Sequence, residues 1–154
     1  MTATVATVPA QPALVRARTG IDALLGRVTM YRLVAICLGL LTVLAFALSF
    51  AGVLYYETVD LAATLAVLLA VTYGSNRLYG ALFGVHPHAE SSLITAGLLF
   101  FLLWPSTEPV ELLAIALAAA AASASKYLVA YSGRHIVNPA AFGVLFVTLL
   151  QLSG

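Results

Sequence analysis

Apolar and polar positions fall along this chain in long blocks, and the blocks set out its elements. Residues 33–54 run for 22 positions without a charge. At 1.5 Å per helical residue that is enough to cross a hydrocarbon core of about 30 Å. Tyr31 and Arg32 precede this run and Tyr55, Tyr56 and Glu57 follow it, residue types that anchor helix ends at a membrane interface. A second charge-free stretch, 61–76, continues its apolar pattern through Leu78, Tyr79, Leu82 and Phe83. It predicts one long helix with Arg77 in its last third. Such an arginine either snorkels to the interface or faces a polar interior, and snorkelling is the favoured reading.

The remaining blocks are less regular. Residues 93–104 are apolar but span only about 18 Å as a helix. Ser91 or Ser92 is placed to cap this segment and Pro105 to stop it. Pro109 opens a fourth segment whose middle is almost all alanine. Ala116, Ala120 and Ala124 are four apart and share a face, which lets helices approach closely and puts this segment at the centre of a bundle. Lys126 follows. The fifth segment, 139–152, spans only about 21 Å. Short capped segments such as the third and fifth are either half-helices of the kind that line transporter sites or ordinary helices that thin the bilayer locally. The predicted spans are about 31–56, 61–83, 91–107, 110–131 and 139–153.

Composition turns this pattern into a class. Of 154 residues, 62% are hydrophobic and 8% charged, against about 25% charged in soluble domains. The expected fold is an all-α membrane protein, a five-segment helical bundle with two short or half-spanning helices over 31–154. A net charge of +1 gives no footing for nucleic acid. Membrane lipid is the expected surround. Cys37, the single cysteine, excludes an intrachain disulfide and reads as a packing residue. Residues 1–30 form a tail without the apolar core of a signal peptide. Within it, 21–31 carry Leu24, Leu25 and Val28 on one side and Asp22 and Arg27 on others. They are either a short helix lying on the membrane surface or the first turns of the next helix.

Charge also gives an orientation. Arg16, Arg18, Arg27 and Arg32 precede the first span, and Glu57 and Asp60 follow it. Arg77 lies near the end of the second, Glu108 and Glu111 follow the third, and Lys126 and Arg134 end the fourth. Basic and acidic ends alternate at each crossing, so the positive-inside rule predicts a cytoplasmic N-terminus in the cell membrane.

Two polar stretches are candidates for chemistry. His86, His88 and Glu90 suggest a metal, but Pro87 between the histidines excludes helical ligand spacing and no third strong ligand is near. A polar loop is the better reading. His86, His88 and His135 all fall in loops, whereas bis-histidine haem in a bundle needs them inside spans. The second stretch is Ser132-Gly133-Arg134-His135-Ile136-Val137-Asn138-Pro139-Ala140-Ala141-Phe142-Gly143. Proline suits the first helical position and the residue before it the N-cap, so Asn138 is predicted to cap the last helix. A helix start offers free N–H groups and partial positive charge to an anionic or carbonyl-rich ligand, and Arg134 adds charge. The alternative is a capped interfacial loop whose arginine meets lipid phosphate.

Ser92-Leu93-Ile94-Thr95-Ala96-Gly97-Leu98-Leu99, followed by Trp104-Pro105, resembles the S-x-I-T-x-L-L…P segment of RnfD, a membrane protein of the Rnf electron-transport complex. The same segment occurs in NqrB, its relative in the sodium-translocating NADH:quinone oxidoreductase. Lys126, Gly133 and Arg134-His135-Ile136-Val137-Asn138-Pro139-Ala140-Ala141 resemble that family's K-h-[IV]-…-N-x-F-N-P-A segment. The likeness covers about residues 33–154. It implies one repeat, the first, of a urea-channel-like inverted-repeat fold. It also implies a flavin, FMN or riboflavin, in a complex that pumps ions. Lys126, Arg134, His135, Asn138, Ser92 and Thr95 would be its binding residues. Expected partners are a second membrane repeat, sister subunits or a C-terminal flavin reductase domain, with this chain either a fragment or a short separate subunit. Two departures stand out. Tyr131-Ser132-Gly133 replaces the family's glycine pair, and the S-G-A-T motif that takes covalent FMN is absent. Any flavin held here is therefore expected to be non-covalent.

Three functions follow as expectations. The first is a membrane electron-transfer module of a flavin-dependent oxidoreductase, one part of an assembly or a membrane domain and not a complete enzyme. There, Arg134, His135 and Asn138 would serve the flavin carbonyls and Tyr127 or Tyr131 would stack on the ring. The second is half of a channel or transporter for a small solute or ion, without a redox cofactor. The third is a purely structural membrane protein within a larger complex.

Overall fold

Each apolar block folds as a helix, and the breaks between them fall where the sequence cannot continue one. The structure, a computed structural model, describes residues 30–84, 89–131, 134–135 and 137–153. Among these residues lie α1 (Met30–Phe50), α2 (Thr58–Phe83), α3 (Ala89–Leu102), α4 (Pro109–Leu128) and α5 (Pro139–Ser153). A two-residue antiparallel ladder joins β1 (Ala130–Tyr131) to β2 (Arg134–His135). α2 ends at Gly84, whose φ of 65° is open to glycine without strain and whose N–H closes on Gly80 O. Pro109 opens α4 at its first turn. The amphipathic reading of 21–31 and the histidines at 86 and 88 lie outside the described residues, apart from Met30 and Tyr31 in α1.

The all-α membrane class holds. α1, α2 and α4 are long and apolar enough to cross a membrane, and α3 and α5 are apolar but shorter. At 14 and 15 residues these two extend about 21 and 22 Å. α3 is nevertheless the hub: it packs against all four other helices, and α4 packs against α2, α3 and α5. Leu68, Ala96, Leu99, Ala119, Ala122 and Ala140 meet there and are wholly buried. α1 is seated on α3 by Phe46 stacked on Phe100, ring centroids 6.4 Å apart.

The end of the bundle away from the N-terminus of α1 is latched by hydrogen bonds. Thr64 Oγ1 donates to Ser106 O (3.3 Å) and accepts from Ser106 N–H (3.0 Å). Ser49 Oγ donates to Tyr56 O (2.9 Å), and Thr107 Oγ1 donates to Asp60 Oδ1 (2.9 Å). Tyr56 and Trp104 meet edge to face at 5.0 Å beside them.

Four local expectations change. α3 begins at Ala89, so Ser91 and Ser92 sit inside its first turn and are not its caps. α4 is central, but its closest approach uses Ala118 and Ala122; Ala116, Ala120 and Ala124 are only half-buried. A Cβ at Gly143 of α5 would stand 2.9 Å from Ala122 Cβ and closer still to the Ala118 carbonyl oxygen. A run of alanines offers several stripes of spacing four, and the position of this glycine selects among them. Cys37 lies exposed on the outer face of α1 and is not a core residue. Arg77 is exposed and does not enter the bundle interior, with Nη2 donating to Tyr73 OH at 2.8 Å and its guanidinium over that ring.

Candidate functional site

The site grows from the start of α5. Asn138 Oδ1 accepts the Ala140 N–H at 3.0 Å, and Asn138 O accepts the Phe142 N–H at 3.0 Å. Asn138 is thus the N-cap that the Asn-Pro pair predicts. The cap uses the side-chain oxygen, and the amide nitrogen of Asn138 has no partner among the described residues.

Lys126, in the last turn of α4, is 6% exposed. Its ammonium donates to Ser91 O (3.0 Å) and Ser91 Oγ (3.1 Å). Ser91 O also accepts from Thr95 Oγ1 at 2.9 Å. An ammonium carries three N–H donors, so one remains without a partner among the described residues. Both partners are neutral, and among the described residues no carboxylate pairs with this buried charge. One turn earlier Ser123 is fully buried, and its hydroxyl is the one buried side-chain polar atom among the described residues that lacks a partner.

Asn138, Lys126, Ser91 and Thr95, though not Ser123, line a cavity of about 640 Å³ between α1, α3, α4 and α5. α1 contributes Tyr31; α3 contributes Glu90, Ser91 and Thr95 with the apolar Ile94 and Leu98; α4 contributes Lys126; α5 contributes Asn138, Pro139 and Ala140. Two helix starts, a cation and an amide therefore face one space whose deeper wall is apolar.

A second polar cluster lies on the other side of the same turn. Asn76 of α2 is 4% exposed. Its Nδ2 donates to Ser92 Oγ at 2.7 Å, and its Oδ1 accepts from Tyr127 OH at 2.7 Å. The Tyr127 ring stacks on Phe83, centroids 5.6 Å apart and 13° from parallel. This cluster is closed upon itself.

Of the residues predicted from sequence, the structure brings Thr95, Lys126 and Asn138 to one cavity and turns Ser92 away from it, into the Asn76 cluster and beside a second cavity between α2 and α3. Tyr127 likewise belongs to that cluster and does not line the main cavity. Arg134 and His135 pair backbone to backbone with Tyr131 and Ala130; their side chains, and that of Tyr131, lie outside what the structure describes. Sequence reading missed Tyr31, Glu90, Ser91 and Asn76. Asn76 had a signal, an amide at the end of a charge-free membrane stretch, which demands partners. Among the described residues no three His, Cys, Asp or Glu side chains are grouped as a metal site.

The chain matches no protein-family model, no curated protein and no solved structure. Geometry and chemistry therefore carry the functional reading.

Proposed function

We propose that this chain is the membrane-embedded electron-transfer module of a flavin-dependent oxidoreductase, holding FMN or riboflavin non-covalently in the cavity at Lys126. The observation that carries it is that cavity: about 640 Å³, apolar at Ile94 and Leu98, and polar at Lys126, Thr95 and Asn138. An isoalloxazine needs apolar walls, donors for its carbonyls and positive charge nearby, and it supplies one- and two-electron transfer when bound. Lys126 would provide the charge, and the free Asn138 amide and the start of α5 the donors. On this reading Tyr31, and not Tyr127, is the aromatic group at the cavity among the described residues. Coupling to ion translocation, and five helices forming one repeat that pairs with a second, rest on the Rnf-like motifs alone. The charge alternation supports a cytoplasmic position for the cavity end in the cell membrane.

The test is an absorption and fluorescence spectrum of protein purified in mild detergent. Flavin bands that vanish in Lys126→Met are expected; parental protein without flavin, and unable to take it up, defeats the reading. Orientation is tested by labelling a cysteine at Glu108 in a Cys37-free background. Labelling from the outside is expected, and labelling from the cytoplasmic side alone reverses the topology.

A second reading has its own observation. α3 and α5 are both too short to cross a 30 Å core and both begin at the same cavity, as broken helices do around a transported solute. Half of a channel or transporter would show the cavity without flavin.

A further inference from the structure

We infer that Lys126 makes this cavity a binding site for a singly charged anion. Three observations on the chain's own residues lead there. The ammonium is nine-tenths buried in a membrane-type helix, yet its hydrogen-bond partners among the described residues are two neutral oxygens of Ser91. A charge buried without a counter-charge is costly and marks a functional site when it occurs inside a membrane segment. It also keeps one unused N–H and lines an open space large enough for a ligand. Glu90 lines the same cavity but forms no ion pair with the ammonium among the described residues, so the place of a paired counter-charge is open to an anion in that space.

Charge sets the valence. Lys126 is the one cation and Glu90 the one carboxylate among the described residues lining the cavity. A monoanion neutralises the buried ammonium, whereas a dianion would leave excess negative charge facing Glu90. The free Asn138 amide adds a neutral donor opposite, and the start of α5 adds partial positive charge.

Two sources share this chemistry: a free inorganic anion, or the negatively charged ring of a reduced flavin. The inference goes beyond the flavin reading and survives without it. The experiment uses the full chain in detergent, stripped of flavin, with iodide as probe and the dianion sulfate at equal ionic strength as reference. Iodide is expected to raise the thermal midpoint saturably in the parent and in Lys126→Arg. In Lys126→Met its apparent affinity should fall about ten- to a hundredfold, as for loss of a hydrogen bond to a charged group. Loading the protein with flavin and reducing it separates the sources. Loss of the iodide effect assigns the ring anion to Lys126, and its persistence assigns a free anion; both outcomes uphold the site. Parental protein that responds alike to iodide and sulfate overturns the inference whatever the variants do, and so does an unchanged iodide affinity in Lys126→Met.

Discussion

Ser91 and Ser92 are neighbours in the first turn of α3, about 100° apart around its axis, and they serve opposite ends. Ser92 closes a circuit: Tyr127 donates to Asn76, and Asn76 donates to Ser92. Ser91 holds an ammonium that still has a donor to give, at the edge of a cavity. A buried polar cluster that satisfies itself specifies how helices register. One left partly open, around a charge, leaves room for a ligand to finish it. The difference between the two serines teaches which polar groups in an apolar bundle are scaffold and which are site.

The strongest way to break this comparison is to disturb the frame under both sides. Gly143→Leu drives a side chain into Ala122 and the Ala118 backbone. Overpacking costs about 1–3 kcal/mol, and the upper end applies because a carbonyl cannot swing aside. Chemical unfolding in detergent should show that loss, with ligand binding reduced alongside. A parental unfolding curve would mean that α4 and α5 do not meet at this glycine.

Asn76→Leu strikes the closed side alone. It strands Ser92 Oγ and leaves Tyr127 OH only the weaker bond to the backbone carbonyl at position 76, 3.1 Å away. Buried polar groups left unpaired cost about 1–3 kcal/mol, with membrane hydrogen bonds toward the lower end. Stability should fall by about 1–2 kcal/mol, while ligand bound per folded molecule stays parental. Lost binding at parental stability would show that the two sides are one site.

Asn138→Ala sharpens the open side, because the cap and the cavity share one residue. Loss of the cap costs about 1 kcal/mol. Asn138→Asp keeps a capping oxygen and should cost less, but it sets a carboxylate beside Lys126. It should weaken iodide binding and, with flavin bound, lower the midpoint potential. Equal behaviour of the two variants in ligand binding would confine Asn138 to capping.

Lys126→Met should move stability least of all, by under about 1 kcal/mol in either direction. Replacing a buried charge with an apolar chain of like length removes a desolvation cost along with the bonds to Ser91. Ligand binding should nevertheless collapse. A strongly destabilised Lys126→Met that still binds iodide would make the lysine scaffold, and the comparison would fail.

What could be read from the sequence follows the range of the interactions. The cap at Asn138 was legible because an N-cap is decided by three consecutive residues. The helices were legible because charge-free length is a local property, and Arg77 because its place near a helix end gave it an exit. Which way Ser92 and Tyr127 turn was not legible. A step of one residue rotates a side chain about 100°, and only the packed positions of α2 and α4 decide whether it meets the cavity or the Asn76 cluster. The alanine stripe failed for the same reason, since Gly143 of another helix chose the register. Tyr31 and Glu90 join Lys126 and Asn138 only because three helices begin, and one ends, at the same cavity.

One wall of the cavity is α1, and the contacts that seat it on α3 are apolar: Phe46 on Phe100, and Leu38 against Gly97. Most of its surface is exposed. In water such contacts would be held by the hydrophobic effect, but lipid tails are as apolar as leucine, so in a bilayer it is close packing, as of Leu38 on Gly97, that holds these faces together. Acyl chains therefore compete with α1 for the apolar face of α3. The width of the cavity then becomes a property of the membrane as well as of the protein, and binding measured in short-chain and long-chain lipids should differ even though no residue has changed.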